Sequence, residues 1–377
     1  MSHLPPEEYR DRWRRARELM DRAGLDALLV TEMHNYWYFT GHHSRQFEHK
    51  MRPMLAVVPR DRDPVMIIYG RDEREARAAS PIAEMRTYVD VPFPVELMRD
   101  TLGDLGLSEG TIGCELGPNH RLGLPYGEFV TIKEELLPHA RFVDGSAVIS
   151  RLRTIKSPRE IEVTREACRI TLEAWEDATA VLEPGMTTRR VAEILTTAMI
   201  EAGGDLHVTG HVSLLLEGEQ QHTYVPGERL WCDFGACYRG YHGDIARQAV
   251  FGKPTDQQLR DHALIWRITR ACIDAIRPGA RASDVARACN REMERAGLPP
   301  LTGSKRVGHG LGLAVAEPPS LSLADDTILE PGMVLTPEPR YFLPSGERIH
   351  IEEDVVVTED GCDLLTTGAE KLKAIGG

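Results

Sequence analysis

The feature that most constrains this chain is an internal echo. Pro184-Gly185 leads into a segment carrying Val191-Ala192, Met199 and Ala202-Gly203. At a constant offset of 94 residues, Pro278-Gly279 leads into Val285-Ala286, Met293 and Ala296-Gly297. A second echo follows each segment: Pro226-Gly227 precedes Asp233, and Pro331-Gly332 precedes Glu338, with the acid six residues after the glycine both times. Repetition at fixed spacing predicts one supersecondary unit used twice, here a helix followed by a hairpin. Such a duplicated fold has a natural cleft at its pseudo-twofold axis, where matching residues of the two halves can meet.

Each half is expected to end in a hairpin with an acid on both strands. The first runs out through 231–236 with Asp233, turns near Arg239-Gly240, and returns through His242 and Asp244 to Arg247. The second runs out through 334–339 with Glu338, turns near Pro344-Ser345-Gly346, and returns through 349–355 with Glu352. Side chains alternate along a strand, so acids near facing positions converge on one face. Burying one unpaired carboxylate is costly, and four together are untenable without cations. Two divalent ions match the four negative charges. His309, in Gly308-His309-Gly310-Leu311-Gly312-Leu313, adds a nitrogen donor on a loop whose glycines allow close approach. That glycine spacing is not GxGxxG, which disfavours a dinucleotide loop. Four carboxylates and one imidazole suit two ions of Mn, Co, Fe or Zn.

Composition narrows the partners. A chain of 377 residues favours two domains. Residues 1–150 mix an amphipathic helix over 8–23 with short apolar runs at 27–30, 54–58 and 65–69, which reads as a small α/β domain. Ser157-Pro158-Arg159-Glu160 is a helix-start signature at the boundary, and 151–377 is the catalytic domain. A net charge of −13 argues against nucleic acid or an anionic membrane. The seven cysteines have no CxxC pair and are expected to be reduced core residues. With no apolar leader or spanning stretch, a cytoplasmic location is expected.

At these residues the chain resembles the pita-bread metallopeptidases, a group that includes methionine aminopeptidase, Xaa-Pro aminopeptidase, prolidase and the metal-free relative creatinase. The likeness covers about residues 155–362, through Asp233-Phe234-Gly235-Ala236, Asp244-Ile245-Ala246-Arg247, the 308–312 loop, Glu338-Pro339 and Ile351-Glu352. An N-terminal domain of this size looks like the creatinase/prolidase branch. The resemblance implies an α/β chain, with the small N-terminal domain followed by a duplicated α+β pita-bread domain. It implies that Asp244 and Glu352 bridge two metals such as manganese, that Asp233 chelates one, and that His309 and Glu338 hold the other. Glu338 would also be general base. It further implies a homodimer that hydrolyses a peptide or related C–N bond, as an Xaa-Pro aminopeptidase or dipeptidase does.

Three departures bear on substrate. Alanine, Ala316, stands where relatives carry a second histidine, and His350 stands where they carry arginine. His222 is the candidate for the substrate-side catalytic histidine, although it is closer to Asp233 than the pattern has it. His350 is read as substrate-binding, with solvent exposure as the plainer alternative. Arg247 either lies beside Asp244 or caps a strand edge. The departures keep open a small non-peptide substrate, as for creatinase and the ectoine hydrolases, or a sulfonium lyase. A catalytically dead binding module is disfavoured by the intact ligands. Tyr36-Trp37-Tyr38-Phe39 reads as a buried aromatic strand entering a polar loop with His42, His43, Arg45 and His49, which could alternatively shape a neighbouring subunit's pocket.

Overall fold

The computed structural model describes residues 4–49, 52–89, 91–206, 210–214, 222–302, 305–343 and 346–376. The chain divides into two compact units, Met1–Arg153 and Thr154–Gly377. Positions 344 and 345, part of the turn expected in the second hairpin, lie outside the described residues.

The first unit is built on a six-stranded mixed sheet. Its order is Glu84–Tyr88, Val65–Tyr69, Leu55–Pro59, Ala27–Val30, Thr111–Cys114, Arg141–Asp144. The three apolar runs expected as strands are the three at its centre. Helix Pro6–Ala23 stops where Gly24 takes φ 66. It buries Tyr9, Trp13, Ala16 and Met20 of the apolar face that its periodicity predicts, while Leu19 of that face is half-buried and Ala23, at the fraying end, is exposed. Residues 36–39 are buried as expected, but they are helical and not a strand: helix Met33–Thr40 contains them. The Glu32 carboxylate caps it by accepting from the His34 and Asn35 amides at 2.9 and 3.1 Å, and Gly41 ends it at φ 75. A cap and a stop nine residues apart, at Glu32 and Gly41, outweigh the strand propensity of aromatic side chains. Nor does the chain beyond simply turn polar to solvent. His42 is buried, with Nδ1 2.9 Å from the Tyr36 hydroxyl, whereas Arg45 is exposed.

The second unit carries the repeat. Helix Pro158–Val181 opens with a capping box. Ser157 Oγ accepts from the Glu160 amide at 3.1 Å, and the Glu160 carboxylate accepts from the Ser157 amide at 2.9 Å. Helix Thr188–Glu201 and helix Ala282–Arg295 have the same length, 14 residues, and both ends are displaced by the predicted spacing. Gly185 and Gly279 have φ 94 and 84, a left-handed turn that glycine adopts readily, just ahead of each helix.

Each helix covers its own sheet. In the first half, Ile170, Trp175, Val191 and Leu195 pack on Phe234 and Ile245. In the second, Ile268, Cys272, Val285 and Cys289 pack on Val307, Leu335 and Val355. The first hairpin is Arg229–Gly235 antiparallel to Ile245–Phe251, with Asp233 opposite Ala246. In the second, Val334–Pro337 pairs antiparallel with Val355–Val357, and a ribbon of Arg340–Phe342 and Arg348–His350 extends beyond it.

Pairing Arg229 with Val250 and Val334 with Val356 fixes which residues are equivalent. Glu338 takes the place of Asp233. On the return strands the equivalence is crossed: Asp244 is matched by His350, and Glu352 by Ala246. The Glu352 amide donates to the Ala246 carbonyl at 3.3 Å, so these counterparts meet directly. All seven cysteines are free; six are buried and Cys362 is half-buried.

The capping box gives a stability prediction. Ser157→Ala should lower unfolding free energy by about 1 kcal/mol. Glu160→Ala should cost more, because the same carboxylate accepts from the buried Tyr241 hydroxyl at 2.7 Å. Urea denaturation of both variants checks this; equal midpoints for wild type and Glu160→Ala would contradict it.

Candidate metal centre

Glycines bring the ligand-bearing strands together. A Cβ on Gly308 would lie 2.2 Å from the Thr336 carbonyl oxygen, and one on Gly310 2.3 Å from that of Pro318. No side chain fits at either position, so strand Arg306–Gly310 lies tight between its neighbours with His309 in the middle. In the first hairpin a Cβ on Gly235 would fall 1.7 Å from the Gly243 carbonyl oxygen. That contact closes the hairpin between Asp233 and Asp244.

His309 is buried with its Nδ1 2.9 Å from the Gly310 carbonyl oxygen. A carbonyl only accepts, so Nδ1 carries the proton and Nε2 presents its lone pair. Nε2 lies 3.7 Å from Asp244 Oδ2 and 3.6 Å from Glu338 Oε1. Two sets of donor atoms come together within 4.8 Å: Asp244, His309 and Glu352, and Glu338, His350 and Glu352. Glu352 belongs to both. Four of the five residues expected as ligands are thus gathered in sets that share one carboxylate. Asp233 joins neither set; it is half-buried, close enough for its charge to act on Glu352.

The electrostatics show what such crowding costs. Burial pushes the Glu352 carboxyl well above its ordinary range, and the charges of Asp244, Glu338 and Asp233 push it further. Its Oε1 is buried with no hydrogen-bond partner among the described residues. Burial would also raise Glu338, but the His350 imidazole facing its Oε2, and the positive charge of Arg340 and of His350 and His309 when these are protonated, outweigh it and hold the carboxyl down at about 2. A buried carboxylate with no protein donor, facing an imidazole lone pair and further carboxylates, is a donor set suited to divalent cations.

His350 is fully buried, which removes the reading that it points to solvent. The Trp231 indole donates to its Nδ1 at 3.3 Å, and the rings stack at 27°. Because indole N–H is a donor only, a neutral His350 carries its proton on Nε2, 3.4 Å from Glu338 Oε2. That tautomer makes His350 a support for Glu338. Arg247 is buried behind Glu352 and does not cap an exposed strand edge. Its guanidinium donates to the Glu352 carbonyl and the Glu353 carboxylate, both at 2.6 Å. Asp354 accepts the Asp244 amide at 2.9 Å. Trp231 and Asp354 were not among the expected site residues, although each lies two positions from an expected ligand.

His222 is half-buried, with Nε2 2.5 Å from Glu228 Oε1 and its ring edge-on to Tyr224. It joins neither carboxylate set. Ala316 is exposed, and the next residue, Glu317, forms a buried ion pair with Lys156 at 3.3 Å while accepting from the Ala314 amide. That pair anchors the segment after the histidine loop.

The sequence profile of Metallopeptidase family M24 matches residues 162–359, and that of the Creatinase/Prolidase N-terminal domain matches residues 12–155. The putative dipeptidase YkvY of Bacillus subtilis (strain 168) is 28% identical over 369 residues, 94% of this chain and 97% of the relative. The ectoine hydrolase of Halomonas elongata is 27% identical over 407 residues, 97% of each chain. The solved structure of the Xaa-Pro dipeptidase from Bacillus anthracis superimposes with a TM-score of 0.83 at 24% identity, over 97% of this chain and 100% of that one. At that identity the likeness shows the fold, an N-terminal α/β domain followed by a pita-bread domain. With a profile match across more than half its length, this chain belongs to metallopeptidase family M24, as a metal-dependent hydrolase of the creatinase/prolidase branch.

Proposed function

We propose that this chain is a two-metal hydrolase of short peptides, a dipeptidase or aminopeptidase of the Xaa-Pro type, using ions such as Mn, Co, Zn or Fe. The observation that carries this reading is Glu352, a buried carboxylate shared by two donor sets and without a protein donor of its own. In this reading Glu352 and Asp244 are shared ligands. Asp233 would hold one ion, and His309 with Glu338 the other, a division that cuts across the two observed donor groups, which put His309 with Asp244 and Glu338 with His350. Bound divalent ions of this kind lower the pKa of water and polarise a carbonyl.

The protein's own groups do the remaining work. His309 offers Nε2 because Gly310 holds the proton on Nδ1. Glu338 is ionised at any working pH and accepts the proton of the attacking water, with His350 steadying its second oxygen. Asp354 and Arg247 fix the backbones of Asp244 and Glu352. Seven free cysteines support a reducing, cytoplasmic setting. The proposed homodimer rests on resemblance to the branch.

A second reading is a small non-peptide amide or amidine as substrate. Ala316 and His350, where peptidase relatives carry histidine and arginine, favour it, as does the relative named ectoine hydrolase. Assays with Mn or Co on Xaa-Pro dipeptides, longer peptides and ectoine separate the two readings.

Asp233→Ala and Glu352→Ala should each lose stoichiometric metal and at least about a thousandfold in turnover. Metal analysis together with kcat checks this; full activity in either variant would reject the site.

A pH prediction follows from Glu352. Its folded pKa lies above its unfolded value, so its contribution in metal-stripped protein is fully present below the ordinary carboxylate range and is lost as pH rises through the folded value. Glu338 runs the other way: its contribution is lost only as pH falls toward about 2, so it does not act above neutrality. Stripped wild type should therefore lose Tm progressively as pH rises above the ordinary carboxylate range. Stripped Glu352→Gln should lose clearly less, and parallel curves would contradict the assignment.

A further inference from the structure

Glu338 is crowded by more positive charge than one carboxylate uses. Arg306 Nε lies 3.6 Å from its Oε1, and Arg340 Nη1 lies 3.6 Å from its Oε2. Both arginine side chains are about two-fifths exposed, at 39% and 43%, so they reach solvent as well as the site. A third guanidinium, that of Arg348, lies over the Trp231 ring at 4.3 Å and near the Phe342 ring at 5.4 Å. Arg348 is two residues before His350 on one strand, and so on the same face of the ribbon. Arg340 stands opposite His350 across that ribbon. Arg348 stands opposite Phe342, which is two residues from Arg340 on the same strand, so Arg340 and Arg348 lie on one face of the ribbon.

Three arginines from three strands thus surround the position where the hydrolase reading places the attacking water. None of them has an ion pair within 4.0 Å to any other acid among the described residues. With two divalent ions bound, the charges of Asp233, Asp244, Glu338 and Glu352 are cancelled, and the arginines keep up to three positive charges without a counter-charge. Like charges held together beside a reaction centre attract an anion. Planar guanidiniums, one of them fixed on an indole face, suit carboxylates in particular. Arg306 and Arg340 approach opposite oxygens of Glu338, so they flank the site on two sides and offer two separate contacts.

We propose that Arg306, Arg340 and Arg348 form an anion subsite beside the scissile bond that selects substrates carrying two carboxylates, such as a dipeptide ending in aspartate or glutamate. This rests on the hydrolase reading above. It places the selectivity of the site in the ribbon Arg340–Phe342 and Arg348–His350 and in the start of strand Arg306–Gly310.

The test uses full-length protein loaded with manganese, with metal content measured for every sample. Substrates are Ala-Ala amide, Ala-Ala and Ala-Glu, which carry no, one and two carboxylates. kcat/KM should rise about tenfold or more with each carboxylate, and Arg340→Gln and Arg348→Gln should collapse the ratio of Ala-Glu to Ala-Ala amide at unchanged metal content. Equal kcat/KM for the three substrates would overturn the proposal.

Binding of glutarate and of its neutral diamide by calorimetry gives a readout that needs no turnover. Glutarate should bind at least tenfold tighter, and the two substitutions should remove that difference. If glutarate binds equally well to wild type and to both variants, the anion sits on the metal ions and the subsite is rejected. Arginine-dependent glutarate binding with no peptide cleaved would keep the subsite and reject peptide hydrolysis.

Discussion

Mutual repulsion among buried carboxylates is the constraint around which the second unit is organised. Asp244, Glu338 and Glu352 are each less than 5% exposed, and Glu352 feels the negative charge of the others with no donor at its Oε1. In a low-dielectric interior this is costly unless cations compensate. The rest of the site reads as apparatus for holding those groups close while leaving their oxygens available. Glycines at 235, 308 and 310 remove the side chains that would keep the strands apart. Arg247 and Asp354 bond to backbone rather than to the ligand oxygens, so they fix position without neutralising charge.

Duplication explains how the crowding arises. Two copies of a helix-and-hairpin unit place equivalent positions next to one another, and the Glu352 amide bonds to the carbonyl of its own counterpart, Ala246. The copies have diverged where function requires it. One return strand offers its acid at Asp244 and the other two positions later in the repeat, at Glu352, while His350 fills the place matching Asp244. The imidazole there, backed by Trp231, stands beside Glu338.

Much of this was legible in the sequence because it rests on local rules. The offset echo predicted both repeat helices, and Ser157-Pro158-Arg159-Glu160 predicted the capping box. The aromatic run at 36–39 misled, since a short apolar stretch fits either period and the deciding signals, Glu32 and Gly41, flank it. The burial of His350 was not legible, because it depends on Trp231 of the other hairpin. The arginines around Glu338 were legible only in part. The register that pairs Val334 with Val356 carries through to Arg340 and His350, but Arg306 lies on the histidine strand, and its approach to Glu338 depends on strand packing that no local pattern shows.

The central claim is that Glu352 is shared between two ions. Anomalous diffraction at the manganese edge on crystals grown with saturating manganese tests it most directly. The account predicts two peaks, about 3.5–4 Å apart, on either side of the Glu352 carboxylate. A single peak, or a Glu352 side chain turned away from every peak, would contradict it.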